Sequence, residues 1–586
     1  MEVGDVRAEA RSVGHPPTLA RTPGTNDPSV KPGRNGTDLP WAHSASAEEP
    51  APECSRKESP VRRFVPLPTE IDPWRALLAR EDVRLLDGVL HLVTDEVSPA
   101  EALSQDLLDV ADALEAAGID VLLVRDSNRR PKLVADARTA PAALAALRSA
   151  RPGEPFYLKG RGADPVPMHG VVVEADALAS YAVFRPRTST NGAYRYGSSL
   201  APRLEFWRFG DTLVEAPRPT VLTRRVTPRE DVAFVRTERY GRSWRTLAGM
   251  FDPHPDEVRV DIDMVFSWVD GSSTEFQRQR AAQMDGYVVG DGDDSPARFR
   301  QIDELRYALR SVHMYAPWVR RIFIATDSPR PAWLAEHPNV TLVRSEEFFA
   351  DTAVLPTHNS HAVEAQLHRI KGLAEHFLYS NDDMFFGRPV TPELFFSAGG
   401  VSRFVESGVR IGTGAPHPGR SGHDNGLRVN RALLQERFGR VITHDLEHCA
   451  VPMRRSVAAE LEREFAADYA RTAANRFRAA TDISVTNSLY HYYALLTGRA
   501  VVTREPRVQY VQTTQLDSLR TMERLVTRRD TDMFCLNDGS VPEIPEEMRV
   551  RALRSCLERA FPVRAPWEHP DVSAGPAAER SAVLSG

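Results

Sequence analysis

From Val260 to Asp383 the chain alternates short, strongly apolar runs with amphipathic stretches of helical period. Few architectures accommodate that alternation. Val260 to Val269 reads as a buried strand, and Ile302, Leu305, Leu309 and Val312 share one face of a following helix. Arg321–Thr326 and Val340–Val343 read as two more strands. A helix with Val363, Leu367, Ile370 and Leu373 inward then leads into the strand Phe377–Ser380. Strands alternating with helices imply a mostly parallel, Rossmann-like α/β sheet with helices on both faces. Such sheets bind ligands outside the carboxyl ends of their strands. Two strands end in polar turns, Asp270-Gly271-Ser272 and Asn381-Asp382-Asp383, and both should lie on that edge.

The flanks read differently. Residues 1–64 and 566–586 are rich in Pro, Gly, Ser, Glu and Ala and are predicted to be disordered tails. Residues 65–255 form an N-terminal α+β accessory domain. In it Val89–Val93 and Asp120–Val124 flank an amphipathic stretch in the manner of a β-α-β unit, and residues 190–235 turn to aromatic and β-branched strands. A second domain, expected to hold the candidate chemistry, spans 256–565. With 74 basic against 80 acidic residues, the chain lacks the basic excess of a nucleic-acid protein. No window approaches ~18–20 consecutive apolar residues. Cys54, Cys449, Cys535 and Cys556 form no CxxC pair, which suits a reducing cytoplasm. Peripheral contact with the inner face of a membrane, and assembly into homo-oligomers, stay open.

Several clusters carry candidate chemistry. Asp382 and Asp383 at a strand end suit one hard cation, although Asn and Asp are also ordinary turn residues. Asp270-Gly271-Ser272 is equally a ligand turn or a plain strand end. Gly290–Asp294 lacks the spacing of a calcium loop and reads as a solvated linker. His358, His361, His368 and His376 cluster, and on one helix His361 and His368 would share a face, but the pattern is not HExxH. A second group, His444, Asp445, Glu447 and His448, precedes Arg454 and Arg455 and could supply a general base or be a surface loop. Arg476-Phe477-Arg478 and Asp482 precede the aromatic run Tyr490–Tyr493. No GxxxxGK[ST] loop, GxSxG elbow or clear GxGxxG fingerprint is present.

In order, four blocks resemble the Stealth family, which includes bacterial capsule and exopolysaccharide sugar-phosphate transferases and the lysosomal N-acetylglucosamine-1-phosphotransferase. The first is Ile262–Ser272. The second runs from Arg298 through Asp303–Tyr307, Ala316–Val319 and Leu355–His361 to Asn381–Asp383. The third holds Asn425–Asn430, His448 and Arg478, and the fourth is Cys535–Gly539. Two departures stand out: Ser273 replaces a frequent Asp, and His358 a frequent aromatic residue. The second histidine often seen just after His448 is also missing, so the choice between His444 and His448 stays open, with the spacing to Arg454 favouring His448.

The resemblance implies transfer of hexose-1-phosphate from a nucleotide sugar, best a UDP-sugar, to a polysaccharide hydroxyl with release of UMP. It implies His448 as base, Arg478 as phosphoryl clamp, and Mg²⁺ or Mn²⁺ held by Asp382 and Asp383 with Asn537 and Asp538; Asp383 is thus also catalytic. Asp270, Gly271, Arg306, Asn359 and His361 would bind substrate. Two other readings remain: a metal-dependent glycosyltransferase releasing UDP, and a non-catalytic carbohydrate-binding protein. All but five of the 74 basic residues are arginine, and within the blocks Arg306 and Arg478 are the ones expected to face a diphosphate.

Overall fold

The structure, a computed structural model, describes residues 73–126, 130–168, 177–284, 289, 301–539 and 542–570. The tail predicted at 1–64, Cys54, the loop at 290–294 and Arg298 lie outside the described residues.

The central sheet contains β1 (Ile262–Ser267), β2 (Ile322–Ala325), β3 (Val340–Val343) and β4 (His376–Asn381). A fifth strand, taken up below, closes it at the β4 edge. The order is β3-β2-β1-β4 and then that fifth strand; the first four run parallel and the last is antiparallel. Strand alternation delivers successive side chains to opposite faces. Met264, Phe266, Ile324 and Leu378 go to one core, whereas Val265, Phe323, Phe377 and Tyr379 go to the other. Helices must therefore cover both faces. Leu305, Leu309 and Val312 of α1 (Glu304–Tyr315) cover the first. Leu427 and Leu434 of a longer helix, Gly422–Phe438, cover the second. Ser267 lies opposite Asn381, so the loops after β1 and β4 leave from the same edge.

Beyond β4 the chain turns at Asp382-Asp383 straight into β5 (Met384–Phe386), and α2 is the Gly422–Phe438 helix just described. The closing strand of the main sheet is β6 (Val451–Arg454). β7 (Val508–Gln512) and β8 (Met533–Asn537) join β5 in a separate sheet of order β5-β8-β7. This small sheet continues from the carboxyl edge of the main one and brings the segment at Asp383 to the segment at Asn537, far apart in the chain, at a single place.

Three expectations change. The continuous helix expected around Val363–Leu373 is a short turn, Ser360–Glu364, followed by a 3₁₀ turn, Leu367–Arg369. Gln366 instead accepts a hydrogen bond from Ala350 N at 3.0 Å, and Gly372 with φ of 83° turns the chain into β4. His361 and His368 therefore share no helix face. The β-α-β unit is also absent. Val89–Val93 pairs antiparallel with Val83–Leu86 across an Asp87-Gly88 turn in which both residues have positive φ, the geometry of a two-residue hairpin. Leu122–Arg125 pairs with Pro131–Asp136 in a different sheet. Finally, residues 566–570 are packed rather than tail-like. Glu568 is buried and bridges to Leu334, and His569 N donates to Trp333 O at 2.9 Å.

The N-terminal region shares a core with the central sheet. Ala102, Tyr194 and Tyr196 pack in the same cluster as Met264 and Tyr315, and the Arg529 guanidinium lies 4.4 Å from the Tyr194 ring centroid. Among the described residues, no helix is long and apolar enough to cross a membrane.

Candidate active site

The turn after β4 and the end of β8 meet because β5 pairs antiparallel with β8. Met384 lies opposite Cys535, and Leu536 N donates to Asp383 O at 3.0 Å. Asp382, Asp383, Asn537 and Asp538 are thereby brought to neighbouring strand ends. The Cys535 thiol donates to Asp383 Oδ2 at 3.4 Å. Burial, and then the charges of Asp383 and Asp382, hold that thiol well above its ordinary range. Thr513 Oγ1 donates to Asp538 Oδ1, and the Arg549 guanidinium stands 3.9 Å away. These four side chains offer only oxygen donors, the set that Mg²⁺ or Mn²⁺ prefers. On that chemistry, the residues present fit the cation.

Across from them stands His448. Its ring centroid is 5.1 Å from that of Tyr510 on β7, and Tyr510 pairs with Cys535 in the β7–β8 register. On its other side the His423 ring, in the first turn of α2, lies at 5.8 Å. Burial pushes His448 down to about 4, His423 pushes the same way, and Asp445 opposes. The ring is therefore neutral at neutral pH and able to accept a proton. His423 Nε2 and Asp445 Oδ2 are 2.8 Å apart. Burial raises the Asp445 carboxyl, but the hydrogen bond and charge of His423 outweigh it and leave it below its usual range. His444 faces elsewhere: its Nδ1 lies 3.1 Å from Thr443 Oγ1 and 3.4 Å from Arg410. The geometry thus distinguishes two histidines that spacing left open.

Arg478 reaches the same neighbourhood from a third direction. It donates to Ser360 Oγ at 2.8 Å, and its stem lies against Gly422, where an added Cβ would fall 2.5 Å from Arg478 Cδ. Only glycine lets the arginine cross the start of α2 beside His423. Below it lies Glu364, which the sequence places between His361 and His368 without a role of its own. Its Oε2 accepts from Thr486 Oγ1 at 2.5 Å. Burial raises its carboxyl, and Thr486, Arg478, Tyr379 and His423 pull it back. Tyr379 in turn donates to Asn381 Oδ1 at 2.7 Å, linking Glu364 to the turn of the paired aspartates. The only signal in the chain was its position three residues after His361, inside the second block.

The other expected substrate-binding residues are placed as follows. Asn359 is buried; Oδ1 accepts from His361 N at 3.1 Å and Nδ2 donates to Asp482 Oδ2 at 2.8 Å and to Phe477 O at 3.3 Å. His361 is buried too, with Nδ1 4.0 Å from Asp482 Oδ2. Both brace the loop that presents Arg478. Asp270 and Gly271 lie on the carboxyl edge, where Asp270 Oδ1 accepts from Ser272 N at 3.1 Å and Gly271 O accepts from Gln277 Nε2 at 3.0 Å. Arg306 is not brought to this group. It is buried on α1 with Nε donating to Glu568 Oε2 at 2.6 Å, while Arg310 donates to both oxygens of the same carboxylate. The Arg306 Nε is thus engaged by a buried carboxylate away from the paired aspartates.

Comparison with known proteins follows this layout. Family models match the chain in four places, Stealth protein CR1, conserved region 1, over residues 260–288, CR2 over 298–404, CR3 over 447–495 and CR4 over 523–578. Exopolysaccharide phosphotransferase CpsY of Mycobacterium tuberculosis is 52% identical over 82% of this chain and 91% of that protein. The chain belongs to the Stealth family.

An exopolysaccharide phosphotransferase of Nocardia farcinica is 52% identical over 83% of the chain and 91% of its own length, and one of Streptomyces coelicolor is 39% identical over 85% and 88%. Among solved structures, galactosyltransferase LgtC in complex with donor and acceptor sugar analogs aligns over 52% of this chain and 96% of its own, with 14% identity and a TM-score of 0.29. Within this Stealth chain, Glu364, Asp382, Asp383, His448, Arg478, Asn537 and Asp538 fall inside the matched regions. His423, Asp445 and Tyr510 lie between them.

Proposed function

We propose that this Stealth-family phosphotransferase moves hexose-1-phosphate from a nucleotide sugar, a UDP-sugar, to a hydroxyl of a polysaccharide, forming a phosphodiester and releasing UMP. The observation that carries the reading is convergence on one sheet edge. A neutral His448, Arg478 and an all-oxygen donor set come from three segments that share no local sequence constraint. The parallel sheet below them is read as a GT-A-like core.

In this reading His448 takes the proton of the acceptor hydroxyl as its oxygen attacks the sugar-bearing phosphorus. The bond between that phosphorus and the bridging oxygen breaks, and UMP leaves with the electron pair. The sugar C1–O bond is untouched, so the anomeric configuration is kept. Arg478 would balance charge on the transferring group with its planar, always-charged fork. Glu364, buried behind Arg478, sets the position of that fork. Asp382 and Asp383, with Asn537 and Asp538, would hold Mg²⁺ or Mn²⁺. Bound there, the cation neutralises diphosphate charge. The site belongs to the cytoplasmic side, where nucleotide sugars are made.

The test is product identity. Incubation with a UDP-sugar, Mg²⁺ and polysaccharide acceptor is expected to yield UMP and a new phosphodiester resonance by phosphorus NMR. UDP as the sole nucleotide product would replace this reading with a glycosyltransferase.

A further inference from the structure

We infer that His423, Asp445 and His448 form a second cation site, one that takes a borderline-soft divalent transition metal of the Zn²⁺ class and is chemically distinct from the oxygen donors at Asp382, Asp383, Asn537 and Asp538. Their nitrogen and oxygen ligand atoms all lie within 4.8 Å of one another. Zinc holds imidazole nitrogen and carboxylate oxygen at ~2.0–2.2 Å, so three donors at this spacing close on one ion with small side-chain movements.

Three separate elements supply the ligands. His423 comes from the first turn of α2, Asp445 from the strand His444–Leu446, and His448 from the loop that follows. The first of these is held rigidly, because Ser421 caps the helix at Asp424 N and Gly422 sits against the Arg478 stem. Asp445 is oriented by its other oxygen: Oδ1 accepts from Leu446 N at 2.8 Å, which leaves Oδ2 facing the imidazoles. Outer hydrogen bonds of this kind orient ligands in metal sites. Asp445 is buried, while both histidines are half-buried, so an ion has a way in and a position left for solvent.

Donor chemistry separates the two sites. Two nitrogens and one oxygen favour Zn²⁺, Co²⁺ or Ni²⁺ over Mg²⁺, which prefers oxygen and gives up its waters reluctantly. His423 and Asp445 lie in residues 405–446, between matched regions, so the site is not something the four family regions carry. One consequence rests on the proposed function. A metal on the His448 ring occupies the lone pair that would receive the acceptor proton, so transition metal and transfer exclude each other.

The experiment uses the full-length chain stripped with chelator and titrated with Zn²⁺ alone. Calorimetry is expected to show one high-affinity ion per chain that millimolar Mg²⁺ does not displace. X-ray absorption at the zinc edge should show two imidazoles in its shell, and Co²⁺ should give the intense visible bands of a low-symmetry, four- or five-coordinate centre. His423→Gln should weaken binding about tenfold or more with the melting temperature kept. No bound zinc, a shell without imidazole, or unchanged affinity in His423→Gln would overturn the inference, since the pair would then be a plain Asp–His hydrogen bond. These readouts need no turnover, so a UDP product would remove the proposed function and leave the metal site standing. Where UMP is formed, Zn²⁺ should inhibit and chelator followed by Mg²⁺ should restore. Inhibition that is unaltered in His423→Gln would count against the site.

Discussion

Two clusters of buried charge, both reaching into regions that the family models match, have opposite characters. Around Glu568 every acceptor is taken: Oε1 receives Arg310 Nε at 2.6 Å and Ala565 N at 2.9 Å, and Oε2 receives Arg306 Nε at 2.6 Å and Arg310 Nη2 at 2.7 Å. Its carboxyl, raised by burial, is drawn below the usual range by Arg310 and Arg306. Around His448 the neighbours push the other way. Burial and His423 both disfavour the proton that Asp445 would favour. The first cluster is closed and saturated, and it ties the C-terminal segment to α1. The second is half-open and holds a neutral imidazole beside a carboxylate. The matched regions hold members of both, Arg306, Arg310 and Glu568 in the first and His448 in the second. Hydrogen-bond saturation and exposure, rather than residue type, tell a fastening from a site.

The largest effect should come from the open cluster. His448→Gln is expected to lower kcat about 10²–10⁴-fold, the range for loss of a general base, while the melting temperature stays within a few degrees. Steady-state kinetics and calorimetry on the same preparation check it. A large loss of stability instead would place His448 with the fastenings.

Glu568→Ala should do the reverse. Removing the shared carboxylate leaves Arg306 and Arg310 buried without a counter-charge, which costs about 3–5 kcal/mol of stability. Denaturant unfolding should show the midpoint fall, and residual folded enzyme at low temperature should keep its kcat. A loss of kcat at full stability would return Arg306 to the donor site.

The smallest effect is a pH slope. His448 is lowered in the folded state, so between pH ~6.5 and about 4 the unfolded ring binds a proton that the folded ring does not. Stability should therefore rise with pH across that window by up to about one proton's worth of slope, and the slope should diminish in His448→Gln. Identical slopes in the two proteins would show that the ring is not desolvated as described.

Much of the frame was legible in the chain. Apolar runs such as Ile262–Phe266 and Phe377–Tyr379 are too short and too evenly buried for surface helices, and their polar ends marked the ligand edge. The helix across Val363–Leu373 was misread because apolar spacings of three and four fit an α-helix and a broken pair of turns equally well. The break depends on Gln366 bonding to Ala350, a tertiary contact. The Arg306–Glu568 pair was not legible for a related reason. Glu568 lies 262 residues away from Arg306, in a stretch whose composition resembles a tail.

By itself the sequence determined the parallel strands, their shared carboxyl edge, and the paired aspartates at a strand end, because strand alternation and turn preference are local properties read over a few residues. Only the tertiary structure decided that Arg306 meets Glu568 while Arg478 crosses the start of α2, which histidine stands beside Tyr510, and that Glu364 and His423 lie in the same neighbourhood. Those outcomes depend on which distant groups share a buried volume, where each charge must find a partner or be shifted to neutrality. No local pattern encodes that pairing.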